Sequence, residues 1–254
     1  MMREKPKQKR HNQNRIRIIA LSFGVLLIAM IIGIAVYLSD YYQADESVQA
    51  ALADSGTVRV SEENNWTIFM PEQRSSDVGF VFYPGGKVDE LAYAPVMHAL
   101  AEQDILCVLV SMPFRLAVLR SGAAAAVIDE FPEINQWFIG GHSLGGAMAA
   151  SFASNYPALL EGVILLAAYP PSDLSQSDLR LLSIYGDQDS VLSMDRYTDN
   201  KAYFPDDLVE IIIGGGNHAY FGNYGEQAGD GQAQISREEQ QRITIEAIIT
   251  FFDH

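Results

Sequence analysis

Apolar residues occur along this chain in short, nearly continuous runs that alternate with segments in which they return every three or four positions. Continuous runs predict buried strands, and the three-to-four spacing predicts helices. The predicted strands are residues 57–60, 66–70, 78–86, 105–113, 136–141, 162–170, 179–187 and 207–218. The predicted helices are residues 89–103, 115–131, 143–157 and 236–254, the last with Ser236 and Glu239 as a capping box.

This alternation predicts an α/β domain with a doubly wound, mostly parallel sheet covered by helices on both faces. Only about eight residues separate the strands predicted at 162–170 and 179–187, so we expect no large lid there.

The N-terminal part of the chain has a different pattern. Residues 18–38 carry no charge, and 21 apolar-rich residues are enough for a helix to cross a bilayer core of about 30 Å. Seven of the 17 Lys and Arg residues precede this segment, which predicts a cytoplasmic N-terminus and a domain on the outer side. We expect a basic tail (1–17), a transmembrane signal-anchor helix (18–38), a short polar stalk (39–56) and the α/β domain (57–254). The alternative is a cleaved signal peptide and a secreted domain.

Composition excludes some classes of function. The formal net charge is −15, and residues 18–254 hold ten basic side chains against 31 acidic ones, so we expect no nucleic-acid partner. The single cysteine, Cys107, lies in an apolar run and is interpreted as a buried structural thiol. One cysteine without a Cys/His cluster gives no thiolate metal site, and we predict no metal or cofactor.

The segment Gly141-His142-Ser143-Leu144-Gly145 follows a predicted strand and opens a predicted helix. This G-x-S-x-G pattern in that context is typical of a nucleophile turn, in which a serine is exposed at the carboxyl edge of a sheet. We expect side chains at 141 and 145 to clash with neighbouring backbone. Ser143 is therefore the candidate nucleophile, and His142 is expected to support the turn rather than act as the base.

A nucleophilic serine needs a general base and a carboxylate that orients the base. His218 follows the last predicted strand in a glycine-rich loop and is the candidate base. The preceding strand is followed by Asp187 and Asp189. Asp189 is favoured as the acid because of its G-x-x-D spacing from Gly186, and Asp187 is the alternative.

Acyl transfer also needs donors for the oxyanion. The backbone N–H of Leu144, directly after the nucleophile, is one candidate. The second is expected in the loop after the strand at 78–86, where Gly86 is the first choice and Lys87 the second.

These motifs resemble the α/β-hydrolase superfamily over about residues 57–254. "GGHSLGG", "YPGGKVDELAYAPVMHALAEQ", "GDQDSV" and "GGGNHAYFGNYGEQAGDG" are similar to a compact bacterial, dienelactone-hydrolase-like branch. The resemblance implies a Ser143-Asp189-His218 triad and no cofactor. The chain departs from it in two respects: "PGG" stands where many relatives have His-Gly, and serine stands where dienelactone hydrolases commonly have cysteine.

The sequence thus predicts a membrane-anchored serine hydrolase that cleaves carboxylic esters of a small-molecule or envelope substrate. The same triad would also serve an acyltransferase, a thioesterase or an amidase. A non-catalytic envelope interaction protein is the remaining alternative.

Overall fold

A computed structural model describes residues 7–253 of the chain. It divides into two compact units, the first ending at Tyr41 and the second beginning at Tyr42. The first six residues of the predicted basic tail and the last residue of the predicted closing helix lie outside the described range.

The first unit is one long helix, α1 (Lys7–Ser39). Its apolar part, Ile19–Ser39, is 21 residues long, and its length and composition allow it to cross a membrane. These bounds agree with the span predicted at 18–38 to within one residue. Membrane anchors and N-terminal signal sequences share these properties.

Within the described residues, the second unit contains one sheet of eight strands, in the order β1-β2-β4-β3-β5-β6-β7-β8. The strands are β1 (Val58–Glu63), β2 (Trp66–Pro71), β3 (Val78–Tyr83), β4 (Leu106–Val110), β5 (Gln136–His142), β6 (Gly162–Leu166), β7 (Arg180–Gly186) and β8 (Leu208–Ile213). The pairs β1–β2 and β2–β4 are antiparallel, and all the other pairs are parallel. The predicted mostly parallel sheet is confirmed.

The remaining helices cover both faces of the sheet. They are α2 (Ala94–Ala101), α3 (Ala123–Glu130), α4 (Leu144–Asn155), α5 (Met194–Asp199) and α6 (Arg237–Phe252). Because side chains alternate along a strand, Phe80 and Phe82 pack in the core layer that contains α2 and α6. Val81, between them, packs in the opposite layer with α3 and α4. Residues 167–179 join β6 to β7 without a helix, as expected for a domain without a large lid.

The helix predicted at 115–131 is wrong in its first half. The chain forms two single 3-10 turns there, Pro113–Arg115 and Ala117–Leu119, and α3 begins only after Gly122. Phe114 and Arg115 have φ angles of +53° and +58°. A right-handed helix needs negative φ angles, so it cannot include these two residues. The apolar spacing that suggested a helix belongs to a loop with exposed apolar side chains.

The segment 39–56, predicted as a stalk, packs on the domain from Tyr42 onward. The Tyr42 N–H donates to the Lys87 carbonyl and the Asp89 N–H donates to the Tyr42 carbonyl, each at 2.8 Å. A 3-10 helix follows (Glu46–Leu52), capped by Asp45 and buried at Val48. The domain therefore begins at Tyr42 rather than at residue 57, because the polar groups of this segment are satisfied by domain backbone instead of water.

Candidate active site

Ser143 lies between the end of β5 and the start of α4, at the carboxyl edge of the sheet. Its backbone has φ 52° and ψ −121°, a conformation that costs a non-glycine residue about 1–3 kcal/mol. Two bonds hold it there: the Ser143 N–H donates to the Leu166 carbonyl at 2.9 Å, and the Ala147 N–H donates to the Ser143 carbonyl at 3.0 Å. The serine thus stands in the strained strand-to-helix turn that its motif predicts.

Two glycines of the motif are required by close backbone approach. A Cβ on Gly145 would overlap the carbonyl oxygens of Tyr83 and Pro84. A Cβ on Gly141 would lie 2.6 Å from the carbonyl carbon of Gly145 and the carbonyl oxygen of Tyr83. Both expected clashes are present, so the turn packs directly against the end of β3.

Asp189 and His218 meet above the sheet, after β7 and β8 respectively. The His218 Nδ1–H donates to Asp189 Oδ2 at 2.8 Å, and both side chains are buried. The other carboxylate oxygen, Oδ1, accepts the N–H groups of Val191 and Leu192, each at 2.8 Å. The carboxylate is therefore fixed by three donors, and the histidine tautomer with its lone pair on Nε2 is the one that fits.

His218 Nε2 is buried and has no hydrogen-bond partner in the part of the chain that the structure describes. Ser143 Oγ does not bond to it in this conformer. The turn of Ser143 nevertheless lies close to His218, because the ring centroid of His142, the residue before Ser143, is 4.5 Å from that of His218. Nucleophile–base hydrogen bonds are often formed only with substrate bound.

Asp187, the alternative acid, has a different task. Its Oδ1 accepts the Gly215 N–H at 2.7 Å and the Gln188 side-chain amide at 3.0 Å. It braces the turn that follows β8 and makes none of the contacts that Asp189 makes with the histidine.

The expected oxyanion donors differ in availability. Leu144 is the first residue of α4, so its N–H has no acceptor within the helix. Gly86 lies beside it, since a Cβ on Gly86 would be 2.9 Å from Leu144 Cδ2. The Lys87 N–H, in contrast, donates to the Arg115 carbonyl at 2.9 Å. The backbone N–H of Lys87 is therefore already engaged, which argues against this alternative, and Gly86 remains the candidate for the second donor.

A buried relay connects the loop of Gly86 to the nucleophile turn. The Gly85 N–H donates to the Tyr93 hydroxyl at 3.1 Å, and that hydroxyl lies 2.8 Å from His142 Nδ1. Burial, and secondarily the charge of His218, hold the pKa of His142 well below its usual value. Neutral His142 accepts at Nδ1 from the Tyr93 O–H, which in turn accepts from Gly85. His142 therefore supports the turn, consistent with the sequence interpretation.

The loop of His218 is held by Gln240, which sequence reasoning did not identify, and by Asp230. Gln240 on α6 exchanges two hydrogen bonds with the backbone of Asn217, at 2.9 and 2.8 Å. Asp230 accepts the Ala219 N–H at 2.9 Å. The sequence did contain a sign that Gln240 is buried, because Gln240, Thr244 and Ile248 recur at a spacing of four and so share one face of α6. Tyr93 gave no signal, since its position on a helical apolar face predicts core packing.

The two remaining expectations about composition concern Cys107 and metals. Cys107 is buried as predicted, and burial raises the pKa of its thiol. Within residues 7–253, no group of three or more His, Cys, Asp or Glu side chains is arranged to hold a metal ion.

Comparison with known proteins places this chain in a family. A model of the alpha/beta hydrolase family matches residues 79–242, more than half of the chain. The chain belongs to the alpha/beta hydrolase family, and membership supports its assignment as a hydrolase.

The fold has a solved counterpart in the crystal structure of a "predicted CIB-like hydrolase" from Thermoplasma acidophilum. The TM-score is 0.53 at 16% sequence identity, over 75% of this chain and 98% of that one. No match is found among curated proteins.

Proposed function

We propose that this chain is a membrane-anchored serine hydrolase that cleaves carboxylic esters through an acyl-enzyme on Ser143. The observation that carries the proposal is the buried Asp189–His218 pair, which leaves His218 Nε2 unpartnered beside the strained turn of Ser143. A buried imidazole held in one tautomer by a fixed carboxylate is the arrangement of a general base.

The first half-reaction follows from this geometry. Rotation of the Ser143 side chain brings Oγ to His218 Nε2, which takes the hydroxyl proton as Oγ attacks the ester carbonyl. The N–H groups of Leu144 and Gly86 stabilise the oxyanion of the tetrahedral intermediate. When that intermediate collapses, the C–O bond to the leaving group breaks and His218 gives its proton to the departing alkoxide.

Water completes the cycle. His218 Nε2 removes a proton from a water molecule, the resulting hydroxide attacks the acyl carbonyl, and Ser143 Oγ leaves with the proton returned by His218. Neutral His142 matters in both halves, because a second positive charge beside His218 would oppose its protonation.

The apolar segment Ile19–Ser39 supports the anchored form of this proposal. With the basic residues preceding it, the positive-inside rule puts the domain on the outer side of the membrane. An envelope or small-molecule ester would then reach the site from outside the cytoplasm.

Hydrolysis of an ester panel of increasing acyl length tests the proposal. Ser143→Ala should lower kcat by at least about 10⁴-fold, as the loss of a nucleophile does. Ser154→Ala is the matched control on the same helix, where the hydroxyl only bonds back to the Ser151 carbonyl. Free acid should be the product even with competing alcohols present. Turnover that survives Ser143→Ala would contradict the proposal, and acyl transfer to the alcohol would make the enzyme a transferase.

A further inference from the structure

The loop after β4 exposes apolar side chains beside the candidate active site. Phe114, Val118 and Leu119 are each between 55% and 60% exposed. Phe114 also has a positive φ of 53°, which is a rare and costly conformation for an aromatic residue. The loop after β7 adds Val191 and Met194, also at the carboxyl edge. We call these five residues the apolar rim.

The rim flanks the nucleophile on both sides. In the sheet, β5 with Ser143 stands between β4 and β7, whose following loops carry the rim. Exposed apolar side chains that gather around a site mark contact with another apolar phase or partner.

The charge of the first rim loop favours an anionic partner. Residues 111–128 contain two arginines, Arg115 and Arg120, and no acidic residue, whereas the rim residues after β7 are followed by both Asp195 and Arg196. Apolar side chains interspersed with basic ones suit the interface of an anionic bilayer.

Chain connectivity points to the same partner. The second unit begins at Tyr42, three positions along the chain from Ser39, the last residue of the apolar helix. Tyr42 is bonded to Lys87, and the Lys87 N–H donates to the Arg115 carbonyl, next to Phe114. The first residue of the second unit is thus linked through Lys87 to the rim loop.

We propose that the apolar rim docks on the lipid bilayer and that the site takes acyl esters held in that bilayer. This inference rests on the proposed function for its substrate, an ester, while the docking itself is independent of catalysis. The lipid-embedded ester would reach Ser143 between the two rim loops without crossing water.

Fluorescence in reconstituted full-length protein tests the docking. The Leu119→Cys variant is labelled with NBD at residue 119 and placed in nanodiscs of phosphatidylcholine and phosphatidylglycerol. The Leu159→Cys variant, labelled in the same way, is the control, because Leu159 is exposed at the opposite end of the sheet, just before β6. Native Cys107 is buried and should not react. Doxyl-labelled lipid should quench the label at 119 and leave the label at 159 bright.

Equal quenching at both positions, or none at 119, would overturn the proposal. Shielding of the label at 119 from aqueous iodide without quenching by lipid would also overturn it and would assign the rim to a protein partner. Ser143→Ala should give the same quenching as the parent, so failure of the catalytic proposal leaves this result unaffected.

Kinetics test the substrate class. The double variant Val118→Ser/Leu119→Ser should hydrolyse a water-soluble short-chain ester as the parent does. Its kcat/KM for an ester embedded in vesicles should fall by about tenfold, which corresponds to losing part of the burial of two apolar side chains. An equal effect on both esters would contradict a membrane-specific role. Absence of soluble-ester hydrolysis in the parent would instead refute the proposed function.

Discussion

Two aspartates two positions apart have separate tasks. One carboxylate oxygen of Asp189 accepts a hydrogen bond from His218, and the other accepts hydrogen bonds from two backbone N–H groups. Asp187 accepts a hydrogen bond from the Gly215 N–H and so stabilises the turn after β8. Their similar sequence context hides this difference, because only the direction of each side chain above the sheet decides which one reaches the histidine.

The pair Asp189→Asn and Asp187→Asn tests this division. An amide at 189 offers His218 the wrong partner for its Nδ1–H and favours the unproductive tautomer, so kcat should fall by about 10³–10⁴-fold. Asp187→Asn keeps an acceptor for the Gly215 N–H and should change kcat by only a few-fold. Steady-state ester kinetics measure both, and equal losses in the two variants would contradict the assignment.

His142 should make folding depend on pH. Its pKa in the folded protein is well below the usual value of 6.5, chiefly because of burial. As pH falls below 6.5 the unfolded chain binds a proton at this residue and the folded chain does not, so stability falls by up to about 1.4 kcal/mol per pH unit.

His142→Asn removes this titration while its Oδ1 keeps an acceptor for Tyr93. The free energy of unfolding of the parent, measured by urea denaturation at pH 7.5 and 5.5, should decline more steeply than that of the variant. Parallel pH dependence in the two would show that His142 titrates normally.

At the scale of elements, the segment 42–52 connects three parts of the candidate site. Besides its bonds to the loop of Lys87, Tyr42 accepts the Ala228 N–H on its hydroxyl at 3.1 Å. The Asp45 N–H donates to the Asn223 carbonyl at 2.8 Å, and its carboxylate pairs with Arg237 on α6. The loop of Gly86 and Lys87, the segment after His218 and the last helix are therefore held by the residues that follow the apolar helix.

Two truncated proteins that both lack α1 test this role. A fragment beginning at residue 41 keeps Tyr42 and Asp45. One beginning at residue 46 loses the four hydrogen bonds that join these two residues to Lys87, Asp89, Asn223 and Ala228. At about 1 kcal/mol for each bond, the shorter fragment should be less stable by about 3–4 kcal/mol and should show a lower kcat. Thermal unfolding and ester kinetics check both expectations, and equal stability would mean that the segment is a passive linker.

Sequence patterns predicted the elements whose signal is local. The apolar strands β3, β4 and β6 and the glycine-bounded turn at Ser143 depend on neighbouring residues alone. The prediction of helix over 115–122 is wrong because the apolar residues there have helical spacing although Val118 and Leu119 face solvent. The packing of 42–52 was missed because its partners, Lys87, Asn223 and Arg237, are distant in sequence.

At the scale of the whole molecule, the sheet order explains how the site is assembled. Parallel strands β5, β7 and β8 deliver the candidate nucleophile, acid and base to one edge, which is where open α/β sheets bind ligands. The G-x-S-x-G motif, the G-x-x-D spacing and the position of each residue after a predicted strand were enough to predict Ser143, Asp189 and His218 as candidates. The relay from Gly85 to His142 and the engagement of the Lys87 N–H depend on three-dimensional loop geometry, which no local pattern encodes.

Mapping a covalent fluorophosphonate adduct on the full-length protein tests the central claim most directly. We expect one adduct per chain, located by mass spectrometry on Ser143, retained in Ser154→Ala and absent from Ser143→Ala. An adduct on another residue, or an unreactive parent protein that is correctly folded, would contradict a nucleophilic Ser143.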